Sequence, residues 1–499
     1  MRVVLAARRS ALARLQAHLV AGALRRARPD IEIAFRFRES LGDRQLDVPL
    51  WQMPEKGVFT EDLREELLAG SCDLAVHSWK DLPIEGQART AIVATLPRAD
   101  ARDLLLVRED RWADVERGGA IRLLTSSPRR ARNLAAFLPS ALPGDVRRIE
   151  FLPVRGNVPT RVRKMWDDEA DGLIVAKAAL DRLLEAEAEE FAGTAAELRR
   201  ALSLCRWMAL PLAANPTAPA QGALAIEIAR SRDDLRDLLA EINCAASFAA
   251  VEREREIMRG HGGGCHQAIG VSVLVRPYGE ITFVRGEDAQ GHALAEASLR
   301  PLRPRPPGLD AARLWPRDAA ENRWFAREPL PADPPPPGAA LWIAKADALP
   351  DAWRIPATRI VWASGLETWR RLARRGVWVH GSAEGLGQAE SPRIETIAGA
   401  PLSWIKLSHA GSGVDPAMPT LATYRLRPRA IDLDLRERDY FFWTSGSNFR
   451  AAIAGRDWLR EKTHFCGPGQ TAQTLREAGL EPHIFLDCRQ WLAEMSFQR

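Results

Sequence analysis

Lys80 and Asp81 stand side by side at the end of an apolar run, LAVHSWKDLP (74–83), which Pro83 closes. In open α/β sheets, ligands bind beyond the carboxyl ends of the strands, and a cation with a carboxylate at such an end is placed to do chemistry. Taken alone, the segment reads as well as a surface ion pair at a strand exit. Three further segments share its character. In LLTSSPRRARNL (123–134) a strand runs into a helix that Ser126 or Ser127 can cap, with Pro128 suited to the first helical position. Helix N-terminus, two hydroxyls, Arg129 and Arg130 then converge as an anion site, against the plainer alternative of a solvated basic helix. PVRGNVPTRVRKM (153–165) brings Arg155 and Arg161 together around a Gly-Asn turn, and a guanidinium presents a planar fork that suits carboxylate or phosphate. AARRSALARLQAH (6–18) sets Arg8 and Ser10 at another strand-to-helix junction.

Four strand ends therefore carry Arg or Lys beside small hydroxyl residues. No aromatic platform accompanies them, which disfavours single-stranded nucleic acid. GxxxxGK[ST] is missing, which disfavours a nucleotide phosphate site. A small ligand with many carboxylates fits better. Among so many cations, Asp81 is suited to stabilise a cationic intermediate or to move a proton. A last segment, GHGGGCHQAIG (260–270), puts Cys265 at the tip of a glycine loop. His261, Cys265 and His266 lack the spacing on fixed elements that a zinc site needs, so no metal is expected. An inert loop cysteine and a nucleophile or covalent attachment point both remain open; a thiolate forms stable thioethers with electrophilic carbon.

The elements that must hold these residues follow from hydrophobic periodicity. Through residue 230, short apolar strands (RVVLAA, IEIAFRFR, CDLAVHS, AIVATL, DLLLVRE, AIRLLT, DGLIVA) alternate with helical patterns, an α/β arrangement of two or more sheets. The first helix, capped by Ser10, is expected to turn Leu12, Leu15 and Leu19 to one face. From about 232 a single long helix leads to the cysteine loop and then to two strands joined at Tyr278-Gly279, a small α+β unit. PLRPRPPG and PADPPPPG bound a stiff linker over 301–338. Eleven of the 16 tryptophans lie at or beyond position 315, marking a separate C-terminal unit. WASGLETWRRLARRG (362–376) and WTSGSNFRAAIAG (443–455) echo one another there as strand, small-residue turn and helix.

The 499 residues exceed one ordinary core, and two to four domains are expected. No apolar run is long enough to span a bilayer, and basic residues interrupt the N-terminal apolar stretch, so neither a membrane partner nor a secretory signal is expected and a cytoplasmic location is. Six cysteines without a CxxC do not form a disulfide framework. A net charge of +5 and a pI of about 9.0 leave nucleic acid open on bulk grounds alone. Only seven of the 70 basic residues are lysines, so a Lys that persists marks a place for a compact ammonium.

In this order, RRSALARLQAH, EKGVF, AVHSWKDLP, TSSPRRARNL, VRGNVPTR, PAQGALAIE and GGGCHQAIG resemble the porphobilinogen deaminase family, the hydroxymethylbilane synthases, over roughly residues 1–300. The resemblance implies a transferase of tetrapyrrole biosynthesis that condenses four porphobilinogen molecules, with loss of ammonia, onto a dipyrromethane primer held by a thioether to Cys265. It implies Asp81 as the catalytic aspartate, which holds pyrrole N–H groups and steadies the azafulvene cation, with Lys80 beside it. Cofactor contacts would come from Arg8, Ser10, Lys80, Asp81, Ser126, Ser127, Arg129, Arg130 and Arg155; substrate contacts from Arg8, Gln16, Lys56, Arg155, Arg161 and Arg182. Asp43 and Lys56 lie in a segment similar to that family's lid. Three departures stand out: Ala7 where Thr is usual, Leu41 where Arg is usual, and Ala220 where Gly is usual.

The fold so implied has two solute-binding-protein-like α/β lobes, lobe 1 over 1–100 completed by about 205–228 and lobe 2 over 101–204. A small α+β domain with the cofactor cysteine loop covers 229–300, the Pro-rich linker 301–338, and a C-terminal α/β domain 339–499. YFFWTSGSNFRAAI and CGPGQTAQTLREAGLEP in that last domain resemble uroporphyrinogen-III synthase, which raises the alternative of a bifunctional enzyme that also cyclises its product. A monomer that binds no nucleic acid is expected. From another class, a two-lobed binding protein for an acidic small molecule also fits the cations; the cysteine loop speaks against it.

Overall fold

Strand Arg2–Arg8 buries Val3, Leu5, Ala6 and Ala7 completely, so both its faces are covered, as parallel sheets require. In the computed structural model it lies between Glu32–Arg38 and Leu74–Ser78, parallel to both. Leu224–Ala229 and Thr90–Ala94 complete this five-stranded sheet, the former antiparallel to Leu74–Ser78. Residues 40–60, 168, 263–266, 307–309, 319–320, 323, 414, 430–434 and 497–499 lie outside the described residues, and with them Leu41, Asp43, Lys56, Cys265 and His266. Helix Ala11–Ala27 covers the sheet with Leu15, Val20, Ala21 and Leu24; Leu19, expected on that face, is exposed.

A second five-stranded sheet has the order Arg148–Leu152, Ala120–Leu124, Gly172–Ala176, Asp103–Arg108, Cys205–Ala209. Strand Cys205–Ala209 pairs with Asp103–Arg108, so residues 205–209 belong here and not, as the sequence suggests, with the first sheet. The chain thus passes between the sheets twice, through 95–102 and 210–223. The two crossovers are strapped together: Ala99 N donates to Gly222 O at 3.3 Å, and Arg98 Nε to Gln221 O at 2.9 Å. Gly222 has φ +88°, and a Cβ there would meet Ala99 O at 2.8 Å. Ala220 adopts φ 68°, the left-handed region that glycine enters without strain, which gives the departure at this position a physical cost.

The expected single helix after residue 232 is two, Asp233–Ala240 and Ala245–Gly260, broken where Thr95 N donates to Asn243 Oδ1 and Cys244 N to Thr95 O. Three antiparallel strands follow rather than two: Gly270–Arg276, Gly279–Glu287 and Ala293–Pro301.

Beyond them the linker is shorter than 301–338. Leu314–Trp315 and Phe325–Pro329 already serve as edge strands of a four-stranded and a six-stranded sheet, positions that tolerate nearby prolines. The W-x-S-G echo maps onto equivalent units in the two sheets. Val361–Ala363 leads to helix Leu366–Ala373, and Tyr440–Trp443 to helix Gly446–Ile453.

This C-terminal unit is docked rather than dangling. Its buried side chains share one apolar cluster with the second sheet. The indoles of Trp369 and Trp378 donate to Ala141 O and Trp207 O, both at 2.9 Å. Trp369, fully buried, packs edge-on to Phe137, and Trp378 edge-on to Trp112. Arg276 of the small domain forks onto Glu390 at 2.5 and 2.7 Å. Truncation of Trp369 to Ala opens a cavity and strands a carbonyl, so Trp369→Ala is expected to lower stability by about 3–5 kcal/mol, read as a shift of the urea unfolding midpoint.

Candidate active site

The opening pair owes its place to a buried anchor. After strand Leu74–Ser78 the chain makes a tight turn, Trp79–Asp81. Trp79 is fully buried against Phe248, with ring centroids 5.0 Å apart, and its backbone N–H donates to Ala223 O. That leaves Lys80 half-buried and Asp81 exposed at the strand's carboxyl end. Both line a cleft of about 650 Å³ that collects residues from both sheets.

Arg8 enters from the end of the first strand, and Ser10 from the N-cap of the following helix, where its Oγ accepts from Ala13 N. Gln16, on the same helix, exchanges hydrogen bonds with Ser78 Oγ at 2.9 and 3.2 Å, which fixes its amide at the cleft wall. From the second sheet come Arg130, Arg155, Arg161 and Arg182. Gly156, at φ +109°, makes the turn after Arg155; Asn157 Oδ1 accepts from Thr160, and Arg161 Nε donates back to Gly156 O at 2.7 Å. Arg182 Nη2 donates to Gly222 O at 2.7 Å. Among the described residues, seven basic and two acidic side chains line the cleft, so its field favours a polyanion.

Ser126, Ser127 and Arg129 do not line it. Ser127 is the helix cap, accepting from Arg130 N, and Ser126 Oγ bridges to Val154 N and O. Arg129 is buried and engaged by Asn215 Oδ1, Pro216 O and Asp103. These three residues build the wall behind the cleft cations.

The central residue of that wall was not foreseen. Asp103 opens a strand that is buried throughout, and because this strand runs antiparallel to Gly172–Ala176, its first residue falls at the sheet's carboxyl end, paired with Ala176. Fully buried, it accepts from Arg129 Nη2 (2.9 Å), Arg130 Nη2 (2.6 Å), Asn215 Nδ2 (2.9 Å) and Gln221 Nε2 (2.8 Å). Burial would raise its pKa, but the charges of Arg130 and Arg129 and these hydrogen bonds prevail and hold it well below the usual carboxylate range. Gln221 Oε1 in turn accepts from Lys80 Nζ at 3.3 Å. The only signal in the sequence was a carboxylate heading a buried strand. Gln221 stands inside PAQGALAIE, where nothing local marks its role.

Burial also acts on the cations. It lowers Lys80 to about 8, against the pull of Asp81 and with help from Arg130. It lowers Arg161 and Arg182 to about 10, far enough above neutrality that both stay charged. Arg130 Nε is buried without a hydrogen-bond acceptor among the described residues.

Two α/β sheets joined by two crossovers, with a cleft at their strand ends where cations outnumber acids, define a two-lobed protein with a strongly cationic site. The comparisons give the particular family. The family model described as "Porphobilinogen deaminase, dipyromethane cofactor binding domain" matches residues 3–237. The porphobilinogen deaminase of Syntrophomonas wolfei is 36% identical over 284 residues, covering 56% of this chain and 83% of that protein. The one from Acidothermus cellulolyticus is 37% identical over 302 residues, covering 56% and 81%. The chain belongs to the porphobilinogen deaminase family.

Asp103→Asn keeps the shape but leaves two buried guanidinium groups without their counter-charge. It is expected to cost about 3–5 kcal/mol of stability, measured by denaturant unfolding, with larger loss than the same change at the exposed Asp81.

Proposed function

We propose that this protein is a hydroxymethylbilane synthase, a transferase that joins four porphobilinogen molecules in tetrapyrrole biosynthesis. The observation that carries the reading is the convergence of Arg8, Lys80, Arg130, Arg155, Arg161 and Arg182 on one cleft around exposed Asp81. Each porphobilinogen brings two carboxylates, so a growing chain needs many fixed cations.

The residues present fit a dipyrromethane cofactor. Its carboxylates match the cations that line the cleft. Arg8, Ser10, Arg130 and Arg155 would hold it, with Ser126, Ser127 and Arg129 as the supporting wall. Cys265 is the proposed point of thioether attachment. Gly270, five residues further on, lies so close to the crossover that a Cβ there would meet Pro216 O at 2.1 Å and Arg129 Cδ at 3.0 Å, which supports a loop anchored beside the cation wall. When bound, the cofactor supplies the pyrrole carbon that receives the first substrate.

Each addition breaks the substrate's C–N bond, releases ammonia and forms a C–C bond with loss of a proton. Asp81 accepts from pyrrole N–H groups and offsets the positive charge that develops as ammonia leaves, an effect greatest in a site where few waters compete. Lys80, held by Gln221, and Gln16, held by Ser78, orient carboxylates on either side. Arg155, Arg161 and Arg182, with Lys56 from outside the described residues, take the substrate's acidic arms. The sheets, their double crossover and the small domain support two solute-binding-protein-like lobes with a third domain carrying the cysteine. A cytoplasmic monomer is the form proposed; among the described residues no helix is long and apolar enough to cross a membrane.

A second reading, cyclisation by the C-terminal unit, draws support from its two sheets, each with a W-x-S-G turn. Its signature is the type III isomer made from porphobilinogen by the full chain alone. For the main reading, the intact mass is expected to exceed the sequence mass by one dipyrrole, an excess that Cys265→Ser removes together with turnover. Asp81→Ala is expected to keep the mass excess and lose roughly 100-fold or more in kcat, measured as hydroxymethylbilane formed. A chain that turns over fully without the added mass refutes the cofactor assignment.

A further inference from the structure

Segment 210–223 touches cleft residues of both lobes and the wall behind them. Asn215 Oδ1 and Pro216 O hold Arg129, and Asn215 Nδ2 holds Asp103. Gln221 Oε1 takes Lys80, and Gly222 O takes Arg182. Toward the small domain, Thr217 O accepts from Val271 N, and Ala220 N donates to Glu254. A displacement at the start of this segment is therefore felt by three cations and one buried carboxylate at once.

That start is held from outside the deaminase-like region. Glu384 belongs to the C-terminal unit, yet its two carboxylate oxygens accept from Leu212 N at 3.0 Å and Ala213 N at 2.6 Å. Its own backbone is over-determined for the task. It sits at φ 56°, a left-handed conformation rare for a residue with a side chain, and its N–H donates to Ser382 Oγ at 2.9 Å. Just before, His380 O accepts from Ala209 N at 2.8 Å, so the edge of the second sheet continues into the C-terminal unit where the crossover begins. Arg102 reaches Pro392 O from the other crossover, which ties the same loop a second time.

We infer that Glu384 is a positioning residue for the condensation: from the C-terminal unit it fixes the entry of crossover 210–223, and through it the placement of Lys80, Arg129 and Arg182. The inference rests on the synthase reading above. It gives the appended unit a role in the first reaction, independent of any chemistry of its own. Two backbone donors that lose their acceptor in a part-buried site must shift to find another, and Asn215 lies only two residues beyond Ala213.

The test uses the full holo chain with Glu384→Ala and Glu384→Gln. In both, the dipyrrole mass is expected to persist, because the thioether does not depend on this contact. The Ala variant loses both acceptors, and its kcat for porphobilinogen is expected to fall by about tenfold. Gln keeps one acceptor oxygen and is expected to restore kcat to within roughly threefold of the parent. Amide exchange is expected to quicken across 210–223 in the Ala variant and much less in the Gln variant. A drop in melting temperature with unchanged kcat, in whichever variant folds, overturns the inference and leaves Glu384 a mere docking contact. Parent protein that lacks both the mass excess and product would instead refute the synthase reading itself.

Discussion

Arg129 and Arg130 are buried side by side at the head of one helix, and two guanidinium groups in a dry interior repel strongly unless an anion lies between them. Asp103 is that anion. Its two oxygens take one guanidinium each, and its remaining acceptor capacity goes to Asn215 and Gln221. The fold follows from the need to bring these groups together. Asp103 comes from the second sheet, its amide partners from the return crossover, and Gln221 extends the network to Lys80 of the first lobe. The carboxylate therefore neutralises charge, holds one crossover and steadies a cleft residue of the opposite lobe. It does so out of solvent, where an ion pair is little screened by salt.

The same constraint explains why the cleft tolerates its charge. Cations around an open cleft are partly solvated, and the ones at the rear are paired inward, so only part of the positive charge faces the ligand. The C-terminal unit adds to this rigidity from behind. Trp369 and Trp378 seal against the second sheet by donating indole N–H groups to main-chain carbonyls, so large apolar surfaces meet without orphaned polar atoms at those two points.

Much of this was legible. The strand-to-helix junctions at Arg8, Lys80, Ser127 and Arg155 were readable because hydroxyl caps, Pro at a first helical position and Gly-Asn turns have local causes. Asp103 was not, because its role depends on an antiparallel strand reversing which end of the segment meets the site, a matter of topology and not of local pattern. The membership of Cys205–Ala209 failed for the same reason: a short apolar strand does not state which edge it joins. The linker is shorter than its prolines imply, and Trp315 and Trp324, both buried, are the better signal that packing has resumed. Leu19 shares helical spacing with Leu12 and Leu15, yet the buried stripe of that helix runs through Val20 and Leu24.

The rarity of lysine sharpens the chemical reading. Arginine would serve as well wherever a permanent charge is needed, and burial lowers Arg161 and Arg182 only to about 10. Lys177 persists in a buried pocket, 2.6 Å from Asp181 and 3.4 Å from Asp100, where a compact ammonium fits and a planar fork would not. Lys80 persists beside Asp81 with its pKa brought down to about 8. The cleft thus combines guanidinium groups whose charge is constant with one ammonium whose charge responds to its neighbours, placed next to the only acid on the same turn. Fixed cations suit the holding of carboxylates. The adjustable one, beside Asp81, gives up its proton at a lower pH than a lysine in water does, because burial disfavours its charge.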